Sequence, residues 1–197
     1  ACKLIAVKPM AKVRARKEQN RFMGIELRGT TTGSSSQSRG KGNYPEIEML
    51  TLRVDDLTGP KVTRLLAEHL EDMHRISPRE SVHALDLAHL RQPDITFWTA
   101  WEDSALAGCS ALRELSPQQG EIKSMRTART FRRRGVGKLM LDHILGEARR
   151  RGYHRLNLET GSQPEFEPAR KLYAAAGFVE CPPFGEYRAD PHSYFMA

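Results

Sequence analysis

The stretch from Glu121 to Lys138 constrains the fold of this chain more than any other part of its sequence. Glu121 to Thr127 alternates in the manner of a β-strand, and Arg132 to Lys138 then opens a helix whose apolar residues recur at three-and-four spacing. Gly135 and Gly137 allow backbone N–H groups of this turn to approach an anion closely. Because the first turn of a helix also carries a partial positive charge, the stretch predicts a strand, a phosphate-binding loop and a helix.

Two common glycine-rich motifs do not fit this loop. A P-loop requires a glycine where Arg132 stands and a serine or threonine where Leu139 stands, and a dinucleotide-binding fingerprint requires a third glycine where Met140 stands. The pattern that fits is Arg/Gln-x-x-Gly-x-Gly, with its glycines at Gly135 and Gly137. A solvated basic helix start can produce the same six residues, so the motif needs support from the rest of the chain.

A second motif further along the chain gives that support. Ala169 to Phe178 reads Ala-x-x-Leu-Tyr, three residues, then Gly-Phe, and a strand candidate, His154 to Thr160, lies between the two motifs. Together the motifs resemble the signatures of the GCN5-related N-acetyltransferase (GNAT) family. More narrowly, the chain is similar to small bacterial acetyltransferases with Gly-Glu-Ile-Lys-Ser-Met-Arg-Thr and Leu-Glu-Thr-Gly, and the resemblance covers roughly residues 49–197.

The resemblance implies an α/β protein with the acyl-CoA N-acyltransferase fold, in which a central mixed, largely antiparallel sheet is flanked by helices. It implies an acyltransferase that moves the acetyl group of acetyl-CoA to a primary amine by direct attack, with acetyl-CoA as donor substrate and no metal. Tyr173 matches the family's tyrosine that protonates the departing thiolate. Backbone groups of Met125 and Thr127 would pair with the pantetheine arm. The pyrophosphate would lie against the loop that contains Arg132, Arg133, Arg134, Gly135, Val136, Gly137 and Lys138.

The acceptor must lose a proton before it attacks, because an alkylammonium group with a pKa of about 10.4 is almost fully charged at neutral pH. A carboxylate acting directly or through water is expected to take that proton. Glu121 stands eleven residues before Arg132, the register used by the histone-acetylating branch of the family, and Glu159 on the next strand is the rival base. Side chains at 121, 123 and 125 are predicted to share one face of the strand, which places Lys123 beside Glu121.

The residues that would contact the acceptor are less clearly marked by the sequence. In this family the first helices overhang the acceptor cleft, which makes His74 a candidate, and Lys123, Arg113 or Arg126 could bind a substrate carboxylate. An exposed histidine, or an ordinary same-face ion pair between Glu121 and Lys123, would also explain these residues.

Two positions depart from the family's pattern. Phe166 stands where many members have an asparagine, so a CoA contact made by that asparagine is lost or is replaced by Ser162 or Gln163. Thr127 stands where the loop usually has a valine. Neither change removes the glycines or the arginine of the loop.

Charge divides the chain into two parts. Residues 1–44 contain ten Lys or Arg and two acidic residues, a net charge of +8, whereas the remainder carries −1. Gly29 to Gly42 is a low-complexity stretch, so residues 1–48 are predicted to be a basic, flexible extension and residues 49–197 the acetyltransferase domain. Such an extension could be a targeting peptide, a nucleic-acid-binding arm or an artefact of where the chain starts.

The cysteine spacing and the apolar runs of the sequence indicate which cellular compartment and which partners to expect. Three scattered cysteines show neither metal-ligand spacing nor a disulfide framework, and no apolar run is long enough to span a bilayer. We therefore expect a cytoplasmic protein with a small-molecule amine acceptor, no membrane partner, and nucleic acid contacts only through the basic extension. Many relatives pair through late strands, so a homodimer is one expected arrangement. Two other functions stay open: a protein-lysine acetyltransferase, and a CoA-binding or nucleic-acid-associated protein without catalysis.

Overall fold

The computed structural model describes residues 50–78, 81 and 86–197, and the predicted basic extension, residues 1–48, lies outside them. Six strands form one sheet whose spatial order follows the sequence. The strands are β1 (Thr51–Val54), β2 (Ile95–Glu102), β3 (Ala105–Ser116), β4 (Gln119–Thr127), β5 (Arg155–Gly161) and β6 (Ser193–Met196). The helices are α1 (Pro60–Ile76), α2 (Leu87–Leu90), α3 (Val136–Arg150) and α4 (Glu167–Ala175), with short 3₁₀ turns at Arg129–Phe131 and Pro164–Phe166.

The pairing of the strands confirms a mixed, largely antiparallel sheet. Every neighbouring pair is antiparallel except β4 and β5, which run parallel. Parallel neighbours need a long crossover connection, and here α3 supplies it. The predicted order of strand, glycine loop, helix and strand is therefore confirmed.

Two apolar clusters cover the two faces of the sheet. One joins sheet residues such as Leu112 and Ile122 to α3 and α4, through Met140, Ile144 and Tyr173. The other joins the opposite face, including Cys109 and Ala111, to the first helices through residues that include Val62, Leu65 and Leu90. Because the two faces pack against different helices, the direction of each β4 side chain decides which helices it contacts.

The chain closes beside β6. Val179 exchanges backbone hydrogen bonds with Ala197, at 3.0 and 2.9 Å, and the N–H of Cys181 donates to the carbonyl of Phe195 at 3.0 Å. Only Ser193–Met196 forms a strand here, and the segment from Val179 to Cys181 lies beside it through these hydrogen bonds and an isolated bridge between Glu180 and Met196. Residues 182–192 connect the two segments. Within the described part of the chain, no helix has both the length and the apolar character needed to cross a membrane.

Candidate active site

An opening in the sheet lies between β4 and β5. The two strands pair from Gln119, opposite Arg155, only as far as Ile122, opposite Leu158, whereas β4 continues beside β3 to Thr127. The second half of β4 therefore has no strand partner on its β5 side within the described residues. Its backbone is available on that side for an extended ligand, which supports the predicted pairing of the backbone of residues 125 and 127 with a pantetheine arm.

A β-bulge changes the direction of the side chains in this half of β4. Cys109 pairs with Arg126 and Ala111 with Lys123, so β4 has one more residue than β3 between these pairs. Ser124, at the bulge, has a positive φ of 50°. Met125 packs against the cluster on the α3 and α4 face.

The expectation that residues 121, 123 and 125 share one face was therefore wrong for Met125. Strict alternation holds only without a bulge, and no glycine marks this one in the sequence. The part of the expectation that concerns Glu121 and Lys123 is confirmed, because the lysine Nζ lies 3.1 Å from the glutamate Oε1.

Glu121 belongs to a buried hydrogen-bonded group of three side chains. Its side chain is 1% exposed and that of Lys123 is 8% exposed. The hydroxyl of Tyr187 donates to Glu121 Oε1 at 2.6 Å, and the Lys123 ammonium donates to the same tyrosine oxygen at 2.5 Å. Burial, followed by the charge and hydrogen bond of Glu121, raises the pKa of Tyr187 well above its ordinary value. The phenol therefore keeps its proton and remains a hydrogen-bond donor.

This group forms part of the wall of a large open cleft. The cleft has a volume of about 1160 Å³ and lies between the ends of β3 and β4 and residues 184–192. Glu121, Lys123, Arg113 and Tyr187 all contribute to its lining. The predicted neighbours Glu121 and Lys123 therefore both lie in the wall of this cleft. A cleft of this volume can hold a ligand of small-molecule size.

The position of Tyr187 is set by aromatic packing and by the ends of its loop. The ring centroids of Phe184 and Phe195 lie 5.0 and 5.5 Å from that of Tyr187. At the end of the loop, Ser162 Oγ donates to the carbonyl of Pro191 at 2.7 Å. The sequence analysis missed this tyrosine, which is 66 residues from Glu121. The only local signal for it was a pair of aromatic residues in an otherwise polar, proline-containing loop.

Glu159, the rival base, lies on the same side of the sheet as Glu121. In the parallel register Glu121 lies opposite Asn157, so a residue two positions later on β5 points the same way. Glu159 is partly buried, and its charge contributes to the raised pKa of both Tyr173 and Tyr187. Both carboxylates thus act electrostatically on tyrosine side chains, but of the two only Glu121 lines the cleft.

Tyr173 lies on α4, against the face of the sheet that packs on α3. Its side chain is 6% exposed and its ring contacts that of Phe178 edge-on, with centroids 5.8 Å apart. Burial, and then the charge of Glu159, raises the pKa of Tyr173 above its ordinary value. The phenol is therefore fully protonated at neutral pH and available as a hydrogen-bond donor.

The start of α3 has the geometry that an anion requires. Gly135 occupies the N-cap position with a φ of 82°, no side chain caps the helix, and the first turn contains no acidic residue. A Cβ on Gly137 would lie 3.3 Å from Leu172 Cδ2 and 3.7 Å from Thr127 Oγ1, so glycine keeps this turn close to its neighbours. The free N–H groups of the first turn can therefore bind the pyrophosphate of an acyl-CoA.

The basic side chains of this loop divide into two pairs. Arg132 and Arg133 are exposed, and neither forms an ion pair with any described residue. Arg134 forms an ion pair with Glu102, and Lys138 Nζ lies 2.6 Å from an oxygen of Asp142 on the same helix. We therefore expect the first two side chains to contribute more to a bound pyrophosphate than the last two.

Other predicted contacts are not brought to the cleft. His74 is exposed on α1 and is not part of the cleft lining. Arg126 forms an ion pair with Asp72 on α1, which also receives hydrogen bonds from Arg129 at 2.9 Å and Arg75 at 3.0 Å. Burial by itself would raise the pKa of Asp72, but these arginines lower it to about 2.

The position that departs from the family's asparagine has a packing role. A Cβ on Gly161 would lie only 2.2 Å from the ring of Phe166, so this glycine is required for the ring to pack on β5. Gln163 donates to Ser77 Oγ at 3.2 Å, and Ser162 is engaged with residues 182–192. Neither side chain is therefore directed by these contacts toward the loop at the start of α3.

Comparisons with known proteins agree with this geometry. The sequence model of the Acetyltransferase (GNAT) family matches residues 62–178. The chain is 57% identical to the uncharacterized N-acetyltransferase YsnE of Bacillus subtilis (strain 168), across 74% of this chain and 96% of that protein. It is 51% identical to the uncharacterized N-acetyltransferase YedL of Escherichia coli (strain K12), across 76% of this chain and 94% of that protein.

A solved structure supports the fold. An acyl-CoA N-acyltransferase from Klebsiella pneumoniae subsp. pneumoniae MGH 78578 superposes with a TM-score of 0.62 at 24% identity, across 76% of this chain and 96% of that one. Members of this family use acetyl-CoA as donor substrate, and the uncapped start of α3 fits its pyrophosphate. The chain therefore belongs to the GNAT family and is an acetyl-CoA-dependent N-acetyltransferase.

Proposed function

We propose that the chain acetylates the primary amine of a small metabolite or amino-acid-like acceptor by direct attack, with Glu121 as the general base. The observation that supports this most directly is a buried carboxylate in the wall of a cleft of about 1160 Å³. Both hydrogen bonds that reach this carboxylate from the described residues end on Oε1. Oε2 therefore remains for the N–H of an acceptor amine.

The charges of the cleft support an acceptor that carries both an amine and an acid group. Three cationic side chains, Arg113, Lys123 and Arg188, line the cleft together with five carboxylates. Arg188 is exposed and forms no ion pair within the described residues, whereas Arg113 donates to Asp94 at 3.0 Å. Arg188 is therefore our candidate for a substrate carboxylate, and the excess of acidic groups favours entry of a cationic amine.

The transfer then requires three proton movements. Glu121 first takes a proton from the acceptor ammonium, and the freed lone pair of the nitrogen attacks the thioester carbonyl carbon to form a tetrahedral intermediate. As the intermediate collapses, the C–S bond of the donor breaks and the nitrogen releases its second surplus proton to solvent. The CoA thiolate leaves and takes a proton from Tyr173, whose buried phenol is fully protonated at neutral pH. Glu159 raises the pKa of that phenol by its charge, which keeps the phenol protonated until the thiolate leaves, and in this mechanism Glu159 is not the base.

The test is acetyl-CoA-dependent thiol release by the full chain with simple amines, amino acids and lysine peptides as acceptors. We expect turnover on an amine or amino acid, and a fall in kcat of about 100-fold or more for Glu121→Gln. Glu159→Gln is the matched control and should retain most of the activity. A larger loss for Glu159→Gln would make Glu159 the base, and turnover on lysine peptides alone would replace the small acceptor by a protein.

A further inference from the structure

The side chain of Tyr187 has a defined relation to the proposed base that the sequence did not reveal. Its hydroxyl donates to Glu121 Oε1 at 2.6 Å and accepts from Lys123 Nζ at 2.5 Å. Lys123 also donates to Oε1 at 3.1 Å, so the three polar groups close a ring of hydrogen bonds. Short hydrogen bonds to an ionised carboxylate are about twice as strong as neutral ones, so this ring fixes the carboxylate plane.

The ring of hydrogen bonds also determines which oxygen is left for chemistry. Oε1 receives both donors, and Oε2 receives none from the described residues. A general base must direct a lone pair at the proton that it removes, within about 3 Å of the donor atom. Rotation of the carboxylate would break the hydrogen bond from Tyr187, so the tyrosine restrains Oε2 in a single direction.

Tyr187 can do this because its own position is fixed from two sides. Its ring packs between Phe184 and Phe195, the latter on β6. Residues 182–192, which carry the tyrosine, are held at their end by the hydrogen bond from Ser162 to Pro191. Packing of the ring and of its loop therefore holds the hydroxyl against the proposed base, and the tyrosine side chain is not free to rotate.

We propose that Tyr187 is a positioning residue for catalysis, which orients Glu121 toward the acceptor amine and makes the action of the base depend on the correct placement of residues 182–192. This inference rests on the proposed role of Glu121. Hydrogen bonds to a carboxylate also favour its charged form, which is the form that accepts a proton. Loss of the phenol hydroxyl should therefore slow the chemical step and leave the binding of acetyl-CoA unchanged.

The first test compares Tyr187→Phe with Tyr194→Phe. We expect Tyr187→Phe to lower kcat about ten- to hundred-fold and to leave the KM for acetyl-CoA unchanged. Tyr194, whose hydroxyl donates to Glu180 at 2.8 Å near the surface, is the matched control and should show none of these changes. Wild-type kcat in Tyr187→Phe would overturn the inference.

The second test is a double-mutant cycle, which separates a positioning role from a merely structural one. If the tyrosine acts through the base, Tyr187→Phe should have little further effect on kcat in a Glu121→Gln background. Fully additive losses would mean that the tyrosine acts independently of Glu121, which contradicts the proposal. Wild-type turnover in Glu121→Gln alone would instead refute the base assignment and, with it, this inference. Thermal unfolding of each variant verifies that it is folded.

Discussion

The proposed donor side and the proposed acceptor side of this enzyme are built from different kinds of groups. At the donor side, the start of α3 presents backbone N–H groups at Gly135 and Gly137, with exposed arginine side chains beside them. At the acceptor side, the side chains of Glu121, Lys123 and Tyr187 are joined by hydrogen bonds, two of them from one strand and the third 66 residues later. The donor side thus consists mainly of backbone groups that are close together in the sequence. The acceptor side consists of buried polar side chains that come from distant parts of the sequence.

This difference predicts different sensitivities. A site built from backbone groups depends on the absence of side chains and on local conformation. A site built from buried polar side chains depends on each hydrogen-bond partner, because a buried polar group that loses its partner is costly. Substitutions of the loop glycines should therefore impair binding of the donor. Substitutions that remove a partner of a buried polar group should act mainly at the acceptor side and on α1, which packs on that face of the sheet.

The largest effect is expected for Gly137→Val. The added side chain would press on Leu172 and Thr127 and would cover N–H groups of the first turn. Loss of two hydrogen bonds to a charged phosphate corresponds to a rise in the Kd for acetyl-CoA of at least about 100-fold, which titration calorimetry can measure. Gly146→Val lies on the same helix, where an added Cβ has open space, and is the matched control. Normal binding by Gly137→Val would show that the donor does not lie against this turn.

The next largest effect is on the free energy of unfolding, through His69 on the α1 face of the sheet. Burial, and then the charge of Arg126, lowers the pKa of this histidine to about 4, and its Nδ1 has no hydrogen-bond partner among the described residues. The unfolded chain therefore binds the proton more readily, so the free energy of unfolding should fall by up to about 3 kcal/mol between pH 6.5 and pH 4.

Denaturant unfolding at several pH values measures this effect. His69→Gln should remove the decrease between pH 6.5 and pH 4, while a separate decrease below pH 4 remains, because the depressed pKa of Asp72 acts only in that lower range. An unchanged pH dependence in His69→Gln would assign the decrease to other groups.

Tyr173→Phe should reduce kcat by about ten- to hundred-fold, because the departing thiolate loses its acid. Since burial raises the pKa of Tyr173 well above 10, the wild-type enzyme should not lose this acid as the pH rises to 10. The pH dependence of kcat for both proteins measures this. Tyr153→Phe, which removes a hydrogen bond to Glu114 at 2.9 Å, serves as a control of similar burial. Equal losses for the two variants would argue against an acid at Tyr173.

The smallest expected effect is a difference between Arg132 and Arg134 in how much each contributes to the KM for acetyl-CoA. Arg132→Ala should raise the KM for acetyl-CoA by about tenfold at low salt, and less at high salt, because its exposed charge has no partner among the described residues. Arg134→Ala should change the KM less, since this side chain already forms an ion pair with Glu102. Steady-state kinetics at two ionic strengths compares them, and the reverse order would show that Arg134 leaves Glu102 to bind the donor.

Much of the fold could be predicted because its signals are local. The alternation before Thr127, the glycines of the loop and the helical period of α3 lie within thirty residues of one another, and each element forms close to its expected bounds. The pairing of Glu121 with Lys123 was also predicted, because it needs only two residues of one strand. The β-bulge at Ser124 was not, since it depends on register with β3 and has no glycine to mark it.

The sequence by itself determined the family and the donor chemistry, and it predicted the place of the anion-binding turn, because backbone conformation near glycines follows from a short stretch of chain. Only the tertiary structure decided what surrounds the base. Tyr187 reaches Glu121 because β6 and residues 182–192 return to the face of β4 that carries it. Arg126 is bound by Asp72 on α1 and does not line the cleft. These contacts join residues far apart in the chain, and their geometry depends on packing that no local pattern encodes.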